Sequence, residues 1–211
     1  MNEITVKRLA PDLLEDYLDF FDRRAFSDGS PYYPCYCNAF NMSCERIRHE
    51  LFRQAEANGG GSEGWKKALR DSAAQMVKSS EIQGYLAYDR AAAVGWCNAN
   101  DRLNYCRVGE FDLSDVPPDE PCVECRGRGE IKSVVCFAIC PEYRGRGIAT
   151  LLLDSVIRDA RAEGYSFVEA YPAKSNSMQG PAFTGPMRLY EKAGFVVTAE
   201  KNSTFVMRKQ L

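Results

Sequence analysis

Two short segments of this chain share an Arg-Gly-Arg-Gly core: CRGRGEI at Cys125–Ile131 and YRGRGIA at Tyr143–Ala149. Paired arginines and glycines suit an anion, because arginine supplies charge-assisted donors and glycine lets the backbone come close to a ligand. Context separates the two copies. The second follows an apolar run, passes through Pro141-Glu142-Tyr143 and opens a long helical pattern. The amides of residues 145–149 therefore point out of a helix N-terminus that carries partial positive charge. Arg144, Gly145, Arg146, Gly147, Ile148 and Ala149 together read as a pyrophosphate site. The first copy leaves an irregular segment holding Pro117, Pro118 and Pro121 and runs into a strand. No set of unpaired helical amides converges on one anion there, and 126–129 reads as a solvated turn.

Nine cysteines form the second chemistry-bearing set. Cys35-x-Cys37 and Cys122-x-x-Cys125 would offer four thiolates to a tetrahedral zinc ion if their loops met. The C-x-C spacing is tighter than structural zinc sites use, and the single histidine, His49, falls on the surface of a helical pattern, so no metal is expected. Cys97, Cys136 and Cys140 lie in strand-like runs and read as small buried hydrophobes. An odd count with several members in strands argues for reduced thiols, hence for a reducing compartment, the cytoplasm. A net charge of -2, with 27 basic residues scattered among 29 acidic ones, leaves no basic footprint for nucleic acid. No apolar stretch approaches the roughly 18–20 residues of a membrane span, and the opening MNEITVKRLAPDLLEDY lacks the basic start and apolar centre of a signal peptide.

The elements that must position these groups follow from periodicity. A length of 211 residues with 45% hydrophobic content suits one well-cored α/β or α+β domain spanning residues 1–211. EITVKRL alternates as an edge strand, and Pro11 opens a helix with Leu14, Tyr17, Leu18 and Phe21 on one face. SDGSPYYPCYCNAF is a loop. Helices follow over Cys44–Ala57 and Trp65–Lys78, with the glycine-rich NGGGSEG as a flexible connection between them. Ile82–Tyr88 and Ala92–Ala99 form a hairpin, and 100–129 is irregular. Lys132–Cys140 is an apolar run suited to a central strand buried on both faces. Arg146–Glu163 is an amphipathic helix ended by Gly164. Strand Ser166–Tyr171, helix Met187–Ala193 and the strands Phe195–Ala199 and Thr204–Arg208 complete the chain.

The order VVCFAICPEYRGRGIATLLLDSVIRDARAEGY, then a strand, then LYEKAGF, resembles the acyl-CoA-binding core of the GNAT superfamily of N-acetyltransferases. That family's phosphate motif is Arg/Gln-x-x-Gly-x-Gly/Ala, and Arg144, Gly147 and Ala149 fill its three positions, with Gly145 as an extra glycine. The resemblance is specific over residues 130–210 and weak over 27–64 and 100–129. It implies an α/β (α+β) GNAT-type domain: a mixed, mostly antiparallel central sheet of six to seven strands flanked by helices, with a splayed strand pair that binds acyl-CoA.

The resemblance also implies roles. Main-chain groups of Phe137, Ala138 and Ile139 would hold the pantetheine arm of acetyl-CoA, residues 144–149 its diphosphate, and Asn176 would meet the cosubstrate as well. A neutral amine would attack the thioester directly in a ternary complex. Tyr190 matches the tyrosine that often protonates the departing thiolate. Glu130 and Glu169, one on either of the two neighbouring strands, are candidate bases if burial raises their pKa; Ser133 stands where some relatives carry a glutamate. Tyr32, Tyr33 and Tyr36 lie in the segment that commonly borders the acceptor pocket. The implied activity is acetyl transfer from acetyl-CoA to a primary amine of a small molecule or peptide. An acyl-CoA-binding sensor without turnover is the alternative, and a Cys-rich zinc-binding regulator the third reading. A homodimer is compatible with the sequence, which selects no assembly.

Overall fold

The structure is a computed structural model that describes residues 3–43, 45–106, 129–174, 182–201 and 203–211. The alternating opening forms strand β1 (Ile4–Arg8), and the apolar stripe after Pro11 forms helix α1 (Leu14–Asp19), which widens into a π-turn over Phe20–Arg24. Helix α2 (Phe52–Ala57) follows a second π-turn, Arg46–Leu51, and helix α3 (Gly61–Lys78) comes directly after. The hairpin is β2 (Gly84–Asp89) and β3 (Ala92–Asp101); then come β4 (Ile131–Ile139), α4 (Ile148–Ala162), β5 (Phe167–Ala170), α5 (Met187–Lys192), β6 (Val196–Glu200) and β7 (Phe205–Gln210).

The strands make one seven-stranded sheet in the order β1-β2-β3-β4-β5-β7-β6. Only β4 and β5 pair in parallel, joined by the crossover helix α4; the other neighbours are antiparallel. Helices cover both faces. Trp96 of β3 meets Tyr17 and Phe21 of the first helical segment edge-on, at ring separations of 5.1 and 6.3 Å. The next residue on the strand, Gly95, lies under Ile148 of α4, whose Cγ2 would be 2.7 Å from a Cβ placed there. Adjacent residues of a strand point to opposite faces, so α1 and α4 sandwich the sheet.

NGGGSEG is more than a flexible connection. Gly61–Gly64 are the first turn of α3, and a Cβ on Gly64 would stand 2.5 Å from the carbonyl oxygen of Ala55, so α2 and α3 cross too closely there for any side chain. A β-bulge interrupts the central strand. Asn98 pairs with Cys136 and Ala99 with Val134, which leaves Val135 as an extra residue on β4 and reverses the faces of the strand beyond it.

Candidate functional site

Strand β4 carries the site because its two neighbours treat it differently. It pairs with β5 only from Ile131↔Phe167 to Val134↔Ala170, while its pairing with β3 runs on to Gly95↔Ile139. Beyond Ala170 the chain stays with β7: Pro172 O accepts from Phe205 N–H at 2.9 Å, and Lys174 N–H donates to Ser203 O at 3.0 Å. The sheet therefore opens as a wedge, and on its β5 side the backbone of Val135–Ile139 has no strand partner among the described residues.

At the end of the wedge the chain turns into α4. Cys140 N–H donates to Val94 O at 3.0 Å, Pro141–Tyr143 makes a 3-10 turn, and the Tyr143 hydroxyl donates to Asp89 at 2.8 Å, tying the turn to the β2–β3 hairpin. Gly145 and Gly147 follow with φ of 73° and 82°, left-handed values that favour glycine. The first bond of the helix runs from Leu151 N–H to Gly147 O at 3.1 Å. The N–H groups from Gly145 to Thr150 find no backbone acceptor among the described residues, and Gly145, Arg146 and Gly147 are exposed.

Arg144 is held rather than loose. Its Nε donates to Ile139 O at 3.2 Å and its Nη1 to Asp28, in the loop after the first helix, at 2.5 Å. The guanidinium beside Asp28 holds that carboxyl below its ordinary value. The Arg146 guanidinium lies 5.3 Å from the Tyr143 ring centroid.

A cavity of about 710 Å³ opens beside this loop. Cys136, Phe137, Ala138 and Ile139 of the wedge, with Arg144 and Ala149, line one side; the segment before α5 supplies Phe183, Gly185 and Pro186. The loop after the first helix adds Tyr32, Cys35, Tyr36 and Phe40, and Trp65 and Leu69 of α3 close the far end. Cys35, Cys37 and Cys136 gather at its edge as free thiols. Cys37 takes φ of 55°; its carbonyl and sulfur both accept from the Asn98 amide, at 2.9 and 3.3 Å, and the Cys136 thiol donates to its sulfur. Burial pushes the Cys37 thiol up, but these donors outweigh it and the net direction is down. The buried Trp96 indole N–H faces the same sulfur without closing a hydrogen bond.

A sequence profile described as the acetyltransferase (GNAT) family matches residues 44–195. The chain belongs to the GNAT acetyltransferase family. Among solved structures it is similar to the PaiA N-acetyltransferase of Thermoplasma acidophilum in complex with coenzyme A, at 16% identity over 99% of both chains with a TM-score of 0.51. It is also similar to PH1933 of Pyrococcus horikoshii, at 19% identity over 99% of both chains and 0.50, and to the GNAT domain of the S. lividans protein PAT, at 15% over 98% of this chain and 89% of that one, again 0.50. At these identities the likeness is one of fold. No curated protein matches the sequence.

The residues expected for a GNAT site divide into three groups. Phe137, Ala138, Ile139, Arg144 and Ala149 line the cavity, as do Tyr32 and Tyr36. Gly145, Arg146 and Gly147 lie between lining residues in the chain, whereas the Ile148 side chain is buried against Gly95. Tyr190, 0% exposed, stands behind the wall: its hydroxyl donates to Thr184 O and lies 3.1 Å from where a Cβ on Gly185 would be. Burial pushes its pKa up, so it stays protonated.

Three expectations are corrected. Glu169 does not line the cavity: it is 3% exposed, accepts from Arg208 and from the Tyr171 hydroxyl, and has Arg102 at 3.8 Å, because the β5–β7 register places Arg208 directly across from it. Glu130 is exposed just before β4, at the opposite end of the strand from Ile139, roughly 30 Å away at ~3.3 Å per residue. Neither carboxylate lines the cavity. Tyr33 does not line the cavity; it is 44% exposed, with the Lys66 ammonium 5.0 Å from its ring. Asn176, Cys122, Cys125 and Arg126–Arg128 lie outside the described residues. Gly129, the end of the first RGRG copy, is partly buried and donates to Asp101 at 2.6 Å, so that end is anchored rather than solvated.

Sequence reasoning missed Asp28, Phe183 and the far wall of Trp65 and Leu69. The CYC segment did signal a chemistry-bearing loop. Nothing in the sequence marks Asp28 as the partner of Arg144, because the two are 116 positions apart.

Proposed function

We propose that this acetyltransferase binds acetyl-CoA in the wedge between β4 and β5 and transfers the acetyl group to an amine by direct attack in a ternary complex. One observation carries the reading: the run Val135–Ile139, open on its β5 side, leads into a turn whose amides, Gly145–Thr150, have no backbone acceptors among the described residues. Main-chain groups of Phe137, Ala138 and Ile139 would hold the pantetheine arm. The amides of the turn, with Arg144 and Arg146, would hold the diphosphate, and Asn176 is a further proposed contact.

In the transfer, the amine nitrogen attacks the thioester carbonyl carbon and its oxygen takes up negative charge. A β4 amide freed by the wedge and the Val135 bulge stabilises that oxyanion. The C–S bond then breaks. We assign Tyr190 as the proton source for the CoA thiolate, since its protonated hydroxyl lies just behind cavity-lining Gly185. The amine proton leaves to water, because no Asp, Glu or His is among the described lining residues, and water returns a proton to the Tyr190 phenolate to close the cycle.

A second reading, binding of acyl-CoA without turnover, draws on that same lack of a carboxylate and on the commitment of the Tyr190 hydroxyl to Thr184 O. The deciding experiment measures free CoA thiol from acetyl-CoA across a panel of amines, alongside CoA binding by calorimetry. Amine-dependent thiol release supports transfer; CoA binding with no release across the panel supports the second reading.

A further inference from the structure

The cavity is almost devoid of charge among its described lining residues. Among its described lining residues there is no Asp, Glu, His or Lys. The one ionised side chain, Arg144, is at the phosphate turn and already engaged by Asp28 and Ile139 O. Two polar side chains of the lining are engaged elsewhere: Tyr36 donates its hydroxyl to Asp22, and Asn38 donates its amide to Leu69 O at 3.1 Å. What faces inward is aromatic. The ring of Tyr32 meets Phe183 edge-on at 5.3 Å, and Phe183 lies 6.1 Å from Phe40, so these rings link the loop after the first helix to the segment before α5.

Building on the acetyl-transfer reading, we propose that the acceptor is an apolar aromatic amine whose nitrogen is uncharged at neutral pH, an arylamine. An alkylammonium entering this cavity would give up water and find no counter-ion among the described lining residues, where Arg144 already takes the Asp28 carboxylate. It would also have to arrive neutral, since no carboxylate or imidazole among the described lining residues removes its proton. An alkylamine with a pKa like that of lysine is neutral in only about one molecule in a few thousand at pH 7. An arylamine avoids both costs, and its ring matches the Tyr32–Phe183–Phe40 surface.

The test compares 4-isopropylaniline with 4-isopropylbenzylamine, which differ by one methylene and in basicity, and with spermidine, using the full chain and acetyl-CoA. At neutral pH the aniline is expected to exceed the benzylamine in kcat/KM by about 100-fold or more, with a flat profile where that of the benzylamine climbs about tenfold per pH unit. Comparable kcat/KM values for the two at pH 7, or a preference for spermidine, would overturn the proposal while leaving acetyl transfer intact. Binding is read separately in CoA-saturated protein through emission of Trp65, one of two tryptophans and the one lining the cavity. If no amine is acetylated yet the aniline binds there, and Phe183→Ala weakens it about tenfold without changing CoA affinity, the cavity assignment stands and the transfer reading fails. Absence of aniline binding overturns the proposal on its own.

Discussion

Gly147→Ala separates what the phosphate turn owes to the fold from what it owes to a ligand. Gly147 holds φ of 82°, yet a Cβ placed on it meets nothing within 4 Å. The protein therefore needs glycine there for its backbone angle and not for space. Alanine in the left-handed region costs about 1–2 kcal/mol, which at 2–4 °C per kcal/mol lowers Tm by roughly 2–8 °C for a chain of this size. The effect on CoA should be larger. The new methyl would occupy the open space in front of the first-turn amides, and shifting a diphosphate off two of them removes two charge-assisted hydrogen bonds of about 1.5–3 kcal/mol each. Even the lower end, about 3 kcal/mol, raises Kd by roughly 100-fold. Thermal melting and calorimetric titration with CoA read the two effects apart. Pantetheine, which lacks the diphosphate, serves as the control and should bind within about twofold of wild type. A variant whose Tm falls as calculated but whose CoA Kd moves by less than about threefold would show that the diphosphate lies elsewhere.

Other groups give sharper readouts of single roles. Tyr190→Phe removes the hydrogen bond from its hydroxyl to Thr184 O, which costs about 0.5–1.5 kcal/mol; kcat should also fall by about 10²–10⁴ if the hydroxyl protonates the thiolate, and an unchanged kcat removes it from that role. Lys132 is 1% exposed, and burial lowers its pKa despite Glu163 at 3.2 Å. Between its folded and unfolded values the unfolded chain holds the extra proton, so this lysine adds stability as pH rises through that window. Lys132→Met should leave Glu163 paired with Arg8, shift stability by no more than about 1 kcal/mol near neutrality, and lose that alkaline gain; a Tm difference from wild type that stays constant into alkaline pH would refute this. Burial pushes the Cys35 thiol to about 12, so iodoacetamide at mildly alkaline pH should label it far more slowly than an exposed thiol, as read by peptide mass spectrometry. Rapid labelling would mean that the cavity is wetter than its lining implies.

Much of this arrangement is legible from local pattern. The apolar run Val134–Ile139 marks a central strand, and RGRGIA opening an amphipathic helix marks the turn, because both signals depend on neighbours within a few residues. The bulge at Val135 is not legible. A strand apolar on both faces has no alternation for an extra residue to break, so the reversal that turns Cys136 toward Cys37 and Asn98 leaves no trace in the sequence. The surroundings of Glu169 are hidden for a related reason. A carboxylate among apolar neighbours invites a catalytic reading, and only the register of a strand 39 positions later shows that Arg208 already pairs with it.

The same distinction bears on how the site is built. The wedge is made by pairing that stops: β5 keeps β7 as its partner after Ala170 while β4 keeps β3 through Ile139. Closing it would require Val135–Ile139 to gain β5 partners, and Tyr171-Pro172 stands against that, since Pro172 has no N–H to donate and its carbonyl is committed to Phe205. The open backbone is thus a property of the fold rather than of a ligand. Chemical selectivity is then left to the side chains facing it, and those come from the loop after the first helix, from α3 and from the segment before α5, which lie outside the stretch where the phosphate signature is read. A motif confined to residues 143–149 can therefore point to the proposed anion-binding turn while carrying no information about the proposed acceptor surface of Tyr32, Phe40 and Phe183, which lies far from it in the chain.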